Sequence, residues 1–304
     1  MSMIIDGKAL ADKILNEIQE EVQQYAQRNI PALTVITIGD DPASKVYVNN
    51  KRKACERVGL QFKNIVFSTT DTFSTISHVV AKELQDEGVA GIIIQQPIIS
   101  DVLTSSEKEF LANCIVGEKD VDGFGTTSQL SLYDNYKKSS GVNLPCTPLG
   151  IMYMIKDTLK TDDLSGLNVL IIGRSNIVGK PLAAMLLAEN CTITMAHSKT
   201  KDLLDICRLN KFDIVVSAVG RANLLTSDYF PFYGPRIIID VGINRDKNNK
   251  LCGDISEKDK QSIVGYSGAY TPVPGGVGPM TVAMLIHNTW EAAKRKLKMN
   301  ILTK

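Results

Sequence analysis

Tyr47 and Lys51 stand four residues apart in the run Asp40-Asp41-Pro42-Ala43-Ser44-Lys45-Val46-Tyr47-Val48-Asn49-Asn50-Lys51. The run predicts a helix start. A carboxylate at Asp41 serves the orphan amides of the first turn, and Pro42 at the first helical position has no amide to lose. Side chains at this spacing stack on one helical face, so a phenol and an amine can reach a common point. Such a pair can do acid/base chemistry if burial or a nearby cation lowers the amine from its usual pKa of ~10.4 towards neutrality. Taken alone, the spacing fits more readily a half-buried tyrosine beside a solvated lysine.

A second stretch carries a different chemistry. Residues 168–172 form an apolar run ending at Gly173, and the loop Gly173-Arg174-Ser175-Asn176-Ile177-Val178-Gly179-Lys180-Pro181 opens a helix rich in alanine and leucine. Strand, glycine loop and helix N-terminus together make a phosphate cradle, because free amides and the helix dipole face the anion. The spacing lacks the middle glycine of G-x-G-x-x-G, so a plain strand-to-helix turn stays open. The next strand, 192–197, ends in His197-Ser198-Lys199-Thr200 with no acid. An NAD site usually carries an acid there, for the ribose 2′-hydroxyl. A serine beside a lysine, with Arg174 across the loop, suits a 2′-phosphate and favours NADP over NAD. Polar residues capping a surface turn would look the same.

Positioning these residues takes two α/β domains, a number that 304 residues allow. Leu10, Ile14, Ile18 and Val22 give the first helix an apolar stripe, and a strand is expected over 32–38. After the Tyr47/Lys51 helix come a strand near 62–67, a helix near 73–87 and a strand over 91–95. The chain turns polar and glycine-bearing over 132–145, and Pro145-Cys146-Thr147-Pro148 leads into a connecting helix. A second series follows, with strands at 168–173, 192–197, 213–219 and 236–242. Strands alternating with amphipathic helices build parallel sheets covered by helices. The first domain is thus expected over 1–145 and the second over 146–278, with a last helix over 279–304 packing back on the first.

Charge and composition narrow the partners. The 34 basic and 33 acidic residues leave a net charge of +1, with no basic block for nucleic acid or an acidic membrane. A small-molecule partner is expected instead. Six scattered cysteines without a C-x-x-C pair and three distant histidines indicate neither a zinc site nor a disulfide framework, so no metal is expected. Charge interrupts the N-terminus too early for a signal peptide, and no apolar run reaches spanning length. The expected setting is the cytoplasm.

Seven stretches in order resemble the bifunctional methylenetetrahydrofolate dehydrogenase/methenyltetrahydrofolate cyclohydrolase family over nearly the whole chain. They are Asp40 to Gly59, Gly91 to Pro97, Lys119-Asp120-Val121-Asp122-Gly123-Phe124, Pro145 to Pro148, Gly173 to Pro181, Asp240-Val241-Gly242-Ile243-Asn244, and Thr271 to Thr281. The resemblance implies an α/β fold of two domains flanking a cleft, an N-terminal folate domain and a Rossmann-like NADP domain, linked by long helices. It implies a homodimer as well. Lys51 would be the catalytic lysine, Tyr47 would pack on the folate ring system, Gln95 would hydrogen-bond Lys51, and Asp122 would hold the pterin. Ile94, Gln96 and the loop Pro274-Gly275-Gly276-Val277-Gly278 would complete the folate side. Gly173, Arg174, Ser175, Ser198 and Ile243 would hold NADP.

The residue types suit these roles. An aromatic face matches a flat heterocycle, and a carboxylate accepts two hydrogen bonds from a pterin edge. Asp122 could instead brace the turn before Gly123, leaving Asp120 as the functional acid. The implied activity is oxidation of 5,10-methylenetetrahydrofolate with NADP, then hydrolysis to 10-formyltetrahydrofolate, in one-carbon metabolism. A dehydrogenase without efficient cyclohydrolase activity, or a silent NADP- or folate-binding module, are the alternatives. The chain departs from the family pattern at Gln96-Pro97-Ile98-Ile99, Gly117-Glu118 and Gly125-Thr126-Thr127. These changes border the folate side and bear on substrate affinity and on the balance of the two activities.

Overall fold

The structure, a computed structural model, describes residues 2–25, 29–133, 141–230, 234–265 and 268–302. Of the polar stretch 132–145, residues 134–140 lie outside the described residues, as do 303–304 of the last helix. The chain opens with β1 (Met3–Ile4), α1 (Gly7–Gln23), β2 (Ala32–Ile38), α2 (Pro42–Val58), β3 (Phe62–Phe67), α3 (Phe73–Gln85), β4 (Val89–Ile94), α4 (Ser105–Asn113), α5 (Thr126–Ser131) and α6 (Cys146–Leu159). It continues with β5 (Asn168–Ile172), α7 (Gly179–Ala188), β6 (Thr192–Ala196), α8 (Leu203–Leu209), β7 (Ile214–Ser217) and β8 (Ile237–Asp240). It closes with β9 (Asn244–Arg245), β10 (Leu251–Cys252), α9 (Glu257–Val264), β11 (Ala269–Tyr270) and α10 (Val277–Leu302). Two compact units result: Asp12–Cys146 with Val282–Lys304, and Met1–Ala11 with Thr147–Thr281.

The first unit is built on a parallel sheet in the order β3-β2-β4. Both faces of β2 and β4 are covered, as expected where helices flank a parallel sheet, and their near-continuous apolar runs reflect it. Ile36, Ile38, Ile92 and Ile94 meet Ile76, Val80 and Leu111 in the core. Helix α2 starts as its sequence dictates. The Asp41 carboxylate accepts from the Ser44 amide at 2.7 Å, Pro42 opens the first turn, and Gly59 closes the helix in the left-handed region at φ 87°. Beyond β4 the chain stays on β2, with the Gln95 amide donating to Ile36 O at 2.8 Å and the Ile99 amide to Ile38 O at 3.1 Å. These bonds fix Gln95 at the carboxyl end of the sheet. From the last helix, the Trp290 indole donates to Glu21 at 2.7 Å and its ring meets Tyr25 edge-on at 5.5 Å.

The second unit holds an all-parallel six-stranded sheet in the order β1-β11-β8-β7-β5-β6, and a small antiparallel pair, β9 with β10. Leu170, Ile172, Val215 and Ile238 pack with Phe212, Phe230 and Ile263 in its core. Strand β6 lies on one side of β5 and β7 on the other, which makes the carboxyl ends of β5 and β7 a topological switch point.

Two boundaries differ from expectation. Residues 1–11 do not begin the first domain: Met3 and Ile4 pair in parallel with Ala269 and Tyr270, adding an edge strand to the second sheet. A two-residue strand carries no periodicity from which to read its partner. Helix α10 begins at Val277 rather than Pro279. Proline fits there because the amides of a helix's first turn have no intrahelical acceptor. No described helix is long and apolar enough to cross a membrane.

Removing the α2 cap with Asp41→Ala is expected to lower stability by about 1 kcal/mol in urea denaturation, with the denaturant slope unchanged.

Candidate active site

Helix α2 presents Ser44, Tyr47 and Lys51 on one side. Lys51 Nζ donates to Gln95 Oε1 at 2.9 Å. Gln95 is in turn oriented by its other end, because Nε2 donates to the Gln96 carbonyl at 2.7 Å and the buried Ser44 hydroxyl donates to the same carbonyl at 3.2 Å. The amide of Gln95 is thereby fixed with its oxygen towards Lys51. Tyr47, one turn earlier, is 45% exposed and offers a ring face. Ile94 ends differently from expectation: its side chain lies in the sheet core, since a central parallel strand buries both faces. Gln96 is exposed.

The two aspartates of the Lys119 to Phe124 run divide their work. Asp120 accepts from the amides of Gly123 (3.0 Å), Phe124 (3.3 Å) and Gly125 (2.8 Å) and from the Ser128 hydroxyl. Its oxygens are committed to the turn. Asp122 instead faces Lys51 and the Cys146 thiol. Burial pushes its carboxyl above the usual range, against the opposing pull of the Lys51 charge and the Cys146 hydrogen bond. Burial, together with the charge of Asp122, also raises the Cys146 thiol well above its ordinary value, so the thiol keeps its proton as a donor. Asn288 Nδ2 donates to Val121 O and Leu144 O, both at 2.9 Å, and pins this corner from the last helix. Ser44, Cys146 and Asn288 were not among the expected site residues. Ser44 shares the helical face of Tyr47, which is a readable signal, whereas Asn288 lies 167 residues from Val121 and gives none.

In the second unit, Gly173 sits at φ 128°, and a Cβ there would lie 2.3 Å from Ala218 O. A Cβ at Gly179 would lie 2.1 Å from Gly173 O. These two close approaches account for the glycine spacing without a middle glycine. The cradle differs from expectation in its amides: Ser175 Oγ accepts from Val178 (3.1 Å) and Gly179 (3.4 Å), and the Lys180 amide donates to Ser175 O at 3.1 Å. An anion here therefore relies on the other loop amides, the helix dipole and exposed Arg174. At the end of β6, Thr200 Oγ1 accepts from the His197 amide at 2.8 Å and closes a tight turn, leaving Ser198 and Lys199 exposed. The set fits a dinucleotide bearing a 2′-phosphate. Ile243 is 52% exposed just beyond β8. The loop Pro274 to Gly278 belongs to this unit, where Gly275 O accepts from the Lys8 amide at 3.0 Å.

A dinucleotide-type switch point in one unit and a lysine, glutamine and half-buried acid in the other define a nucleotide-dependent enzyme acting on a small organic ligand. Residues 5–122 match the tetrahydrofolate dehydrogenase/cyclohydrolase catalytic domain, and residues 145–297 match the tetrahydrofolate dehydrogenase/cyclohydrolase NAD(P)-binding domain. The chain is 40% identical to a bifunctional protein FolD of Bacillus cytotoxicus, over 97% of this chain and 98% of that protein. A crystal structure of the bifunctional enzyme FolD from Campylobacter jejuni superimposes with a TM-score of 0.86 at 39% identity, covering 97% of this chain and 99% of that one. A Trypanosoma brucei methylenetetrahydrofolate dehydrogenase-cyclohydrolase, solved with NADP cofactor and inhibitor, gives 0.82 at 30% identity, over 97% and 98% of the two chains. The chain belongs to the tetrahydrofolate dehydrogenase/cyclohydrolase family.

The division of labour between the aspartates is measurable. Asp120→Ala strands several buried donors and is expected to cost about 3 kcal/mol. Asp122→Asn should do the opposite at neutral pH. A carboxyl raised by burial in the folded state is destabilising when ionised, so the variant melts higher at pH 7, and the gain shrinks as the pH falls through the folded pKa and vanishes below the unfolded value of ~3.9. Thermal melts from pH 7 to pH 3 check both.

Proposed function

We propose that this chain oxidises 5,10-methylenetetrahydrofolate with NADP and hydrolyses the resulting methenyl species to 10-formyltetrahydrofolate. The observation that carries the reading is the placement of Lys51, Gln95 and Asp122 together in the unit that matches the family's catalytic domain.

Asp122 is assigned to the pterin: a carboxylate accepts from an amino and ring-nitrogen edge, which recovers part of its burial cost. Tyr47 lays its ring on the heterocycle. Gln96 and the Pro274 to Gly278 loop are assigned to the substrate as well. NADP, when bound, supplies the ring that accepts hydride. Arg174 and Ser198, with Lys199, are assigned to its 2′-phosphate, and Gly173, Ser175 and Ile243 to the rest of the nucleotide. For the oxidation the protein mainly orients the donor carbon and excludes water. For the hydrolysis, Lys51, steered by Gln95, takes a proton from the water that attacks the methenyl carbon. The proton is returned as the ring carbon–nitrogen bond breaks.

We assign the same chain to a homodimer. Strand β3 is a sheet edge with Val66 64% exposed, beside a groove of about 940 Å³ lined by Lys45, Asn49 and Arg52 of α2. Six free thiols suit a reducing setting, the cytoplasm.

Purified protein given 5,10-methylenetetrahydrofolate and NADP should reduce the cofactor with little methenyl build-up, and should hydrolyse added methenyl substrate faster than buffer does. Persistent methenyl would leave a dehydrogenase alone, and no reduction with NADP or NAD would leave a binding module. Lys51→Met should cut the hydrolysis by about 10²-fold or more while NADP binding is retained. Unchanged water addition removes Lys51 from the mechanism. Sedimentation should give twice the chain mass, and Val66→Lys should shift it towards the monomer.

A further inference from the structure

Asp254 is fully buried just beyond β10, yet its carboxylate receives five donors. Oδ2 accepts from the Ser217 hydroxyl (3.0 Å) and the amides of Val219 (2.8 Å) and Gly220 (3.3 Å). Oδ1 accepts from the Arg221 amide (2.8 Å) and Asn244 Nδ2 (3.0 Å). One side chain thus holds the turn after β7 and the residue that opens β9. Asp254 is itself fixed from behind: its amide donates to Asp240 Oδ1 at 3.0 Å, and the buried Asp240 pairs with the buried Lys260 at 3.0 Å. A Cβ at Gly242 would fall 2.1 Å from Asp254 Oδ1, so the β8 loop is fitted closely over the carboxylate.

The turn it holds is at the switch point. Gly173 of the phosphate loop packs on Ala218 O, the residue immediately before the braced amides. Ligands of open parallel sheets bind outside the carboxyl ends of the strands at such a reversal. The turn also lies across β5 from Ser198 and Lys199 at the end of β6, so it serves the half of a dinucleotide remote from the 2′-phosphate. Gly220 and Arg221 are exposed there while their amides are held from below.

We infer that Asp254 is a positioning residue for NADP, ordering the Val219–Arg221 turn into the form that receives the nucleotide. The inference rests on the NADP reading above. An acceptor-only group is needed, since every neighbour named is a donor. An amide of the same shape would turn an NH₂ towards N–H groups.

Asp254→Asn tests it, with NADP affinity read by calorimetry on protein free of cofactor. Affinity should fall by about ten-fold or more, the size expected for charge-assisted bonds. Hydrolysis of methenyl substrate without NADP, whose proton-transferring Lys51 and steering Gln95 lie in the other unit, should stay within about two-fold of wild type. Affinity unchanged in a folded variant overturns the inference, as does a parallel loss of NADP binding and hydrolysis, which would mark a general structural role. Should Asp254→Asn not fold, Ser217→Ala removes a single donor and should weaken NADP by about three-fold with hydrolysis intact. Unchanged affinity there overturns the inference equally. A wild-type protein that does not bind NADP overturns the cofactor reading itself, and this role with it.

Discussion

A lysine can act at a chosen point only if something holds it there without cancelling what it does. Lys51 is held by an amide oxygen. A carboxylate at position 95 would add to the charge of Asp122 already facing Lys51 and favour the ammonium form further, because a neighbouring opposite charge favours the charged form. The amide directs Nζ by geometry alone, and its own direction is set by the Gln96 carbonyl and the backbone bond to Ile36. The cap on α2, the run of Gln95 along β2 and the burial of Ser44 all serve this one contact.

Asp254, buried, and Asp122, half-buried, show two settings of a carboxylate. Asp254 is saturated with donors, so it works as scaffold. Asp122 is half-buried and faces the Lys51 charge and the Cys146 thiol, with burial pushing its carboxyl up. Two residues away, Asp120 has the same composition and the opposite role.

How much of this could be read in advance follows from where the information lies. The strand over Ala32–Ile38 and the start of α2 are local: an apolar run, a cap and a proline are contiguous in the chain. The glycine spacing at 173 and 179 is also local, but its cause is not, because Ala218 enforces the first from another strand. Asn288 and the pairing of Met3 with Ala269 depend on contacts more than a hundred residues apart, with no periodic pattern at either end. The chain alone does not separate Asp120 from Asp122, because neighbouring acids of one type differ only in what surrounds them.

The edge strand at Met3–Ile4 bears on how the protein is made. Neither unit is a continuous piece of chain, for each takes residues from both sides of the other's sequence. A ribosome releases Met3 long before its partner strand at Ala269, so the larger sheet stays incomplete while the chain between them is made. The same interleaving bars a clean cut: a gene fragment ending near residue 146 would leave one unit without its last helix and the other without its first strand. Recombination would exchange this enzyme whole rather than by halves.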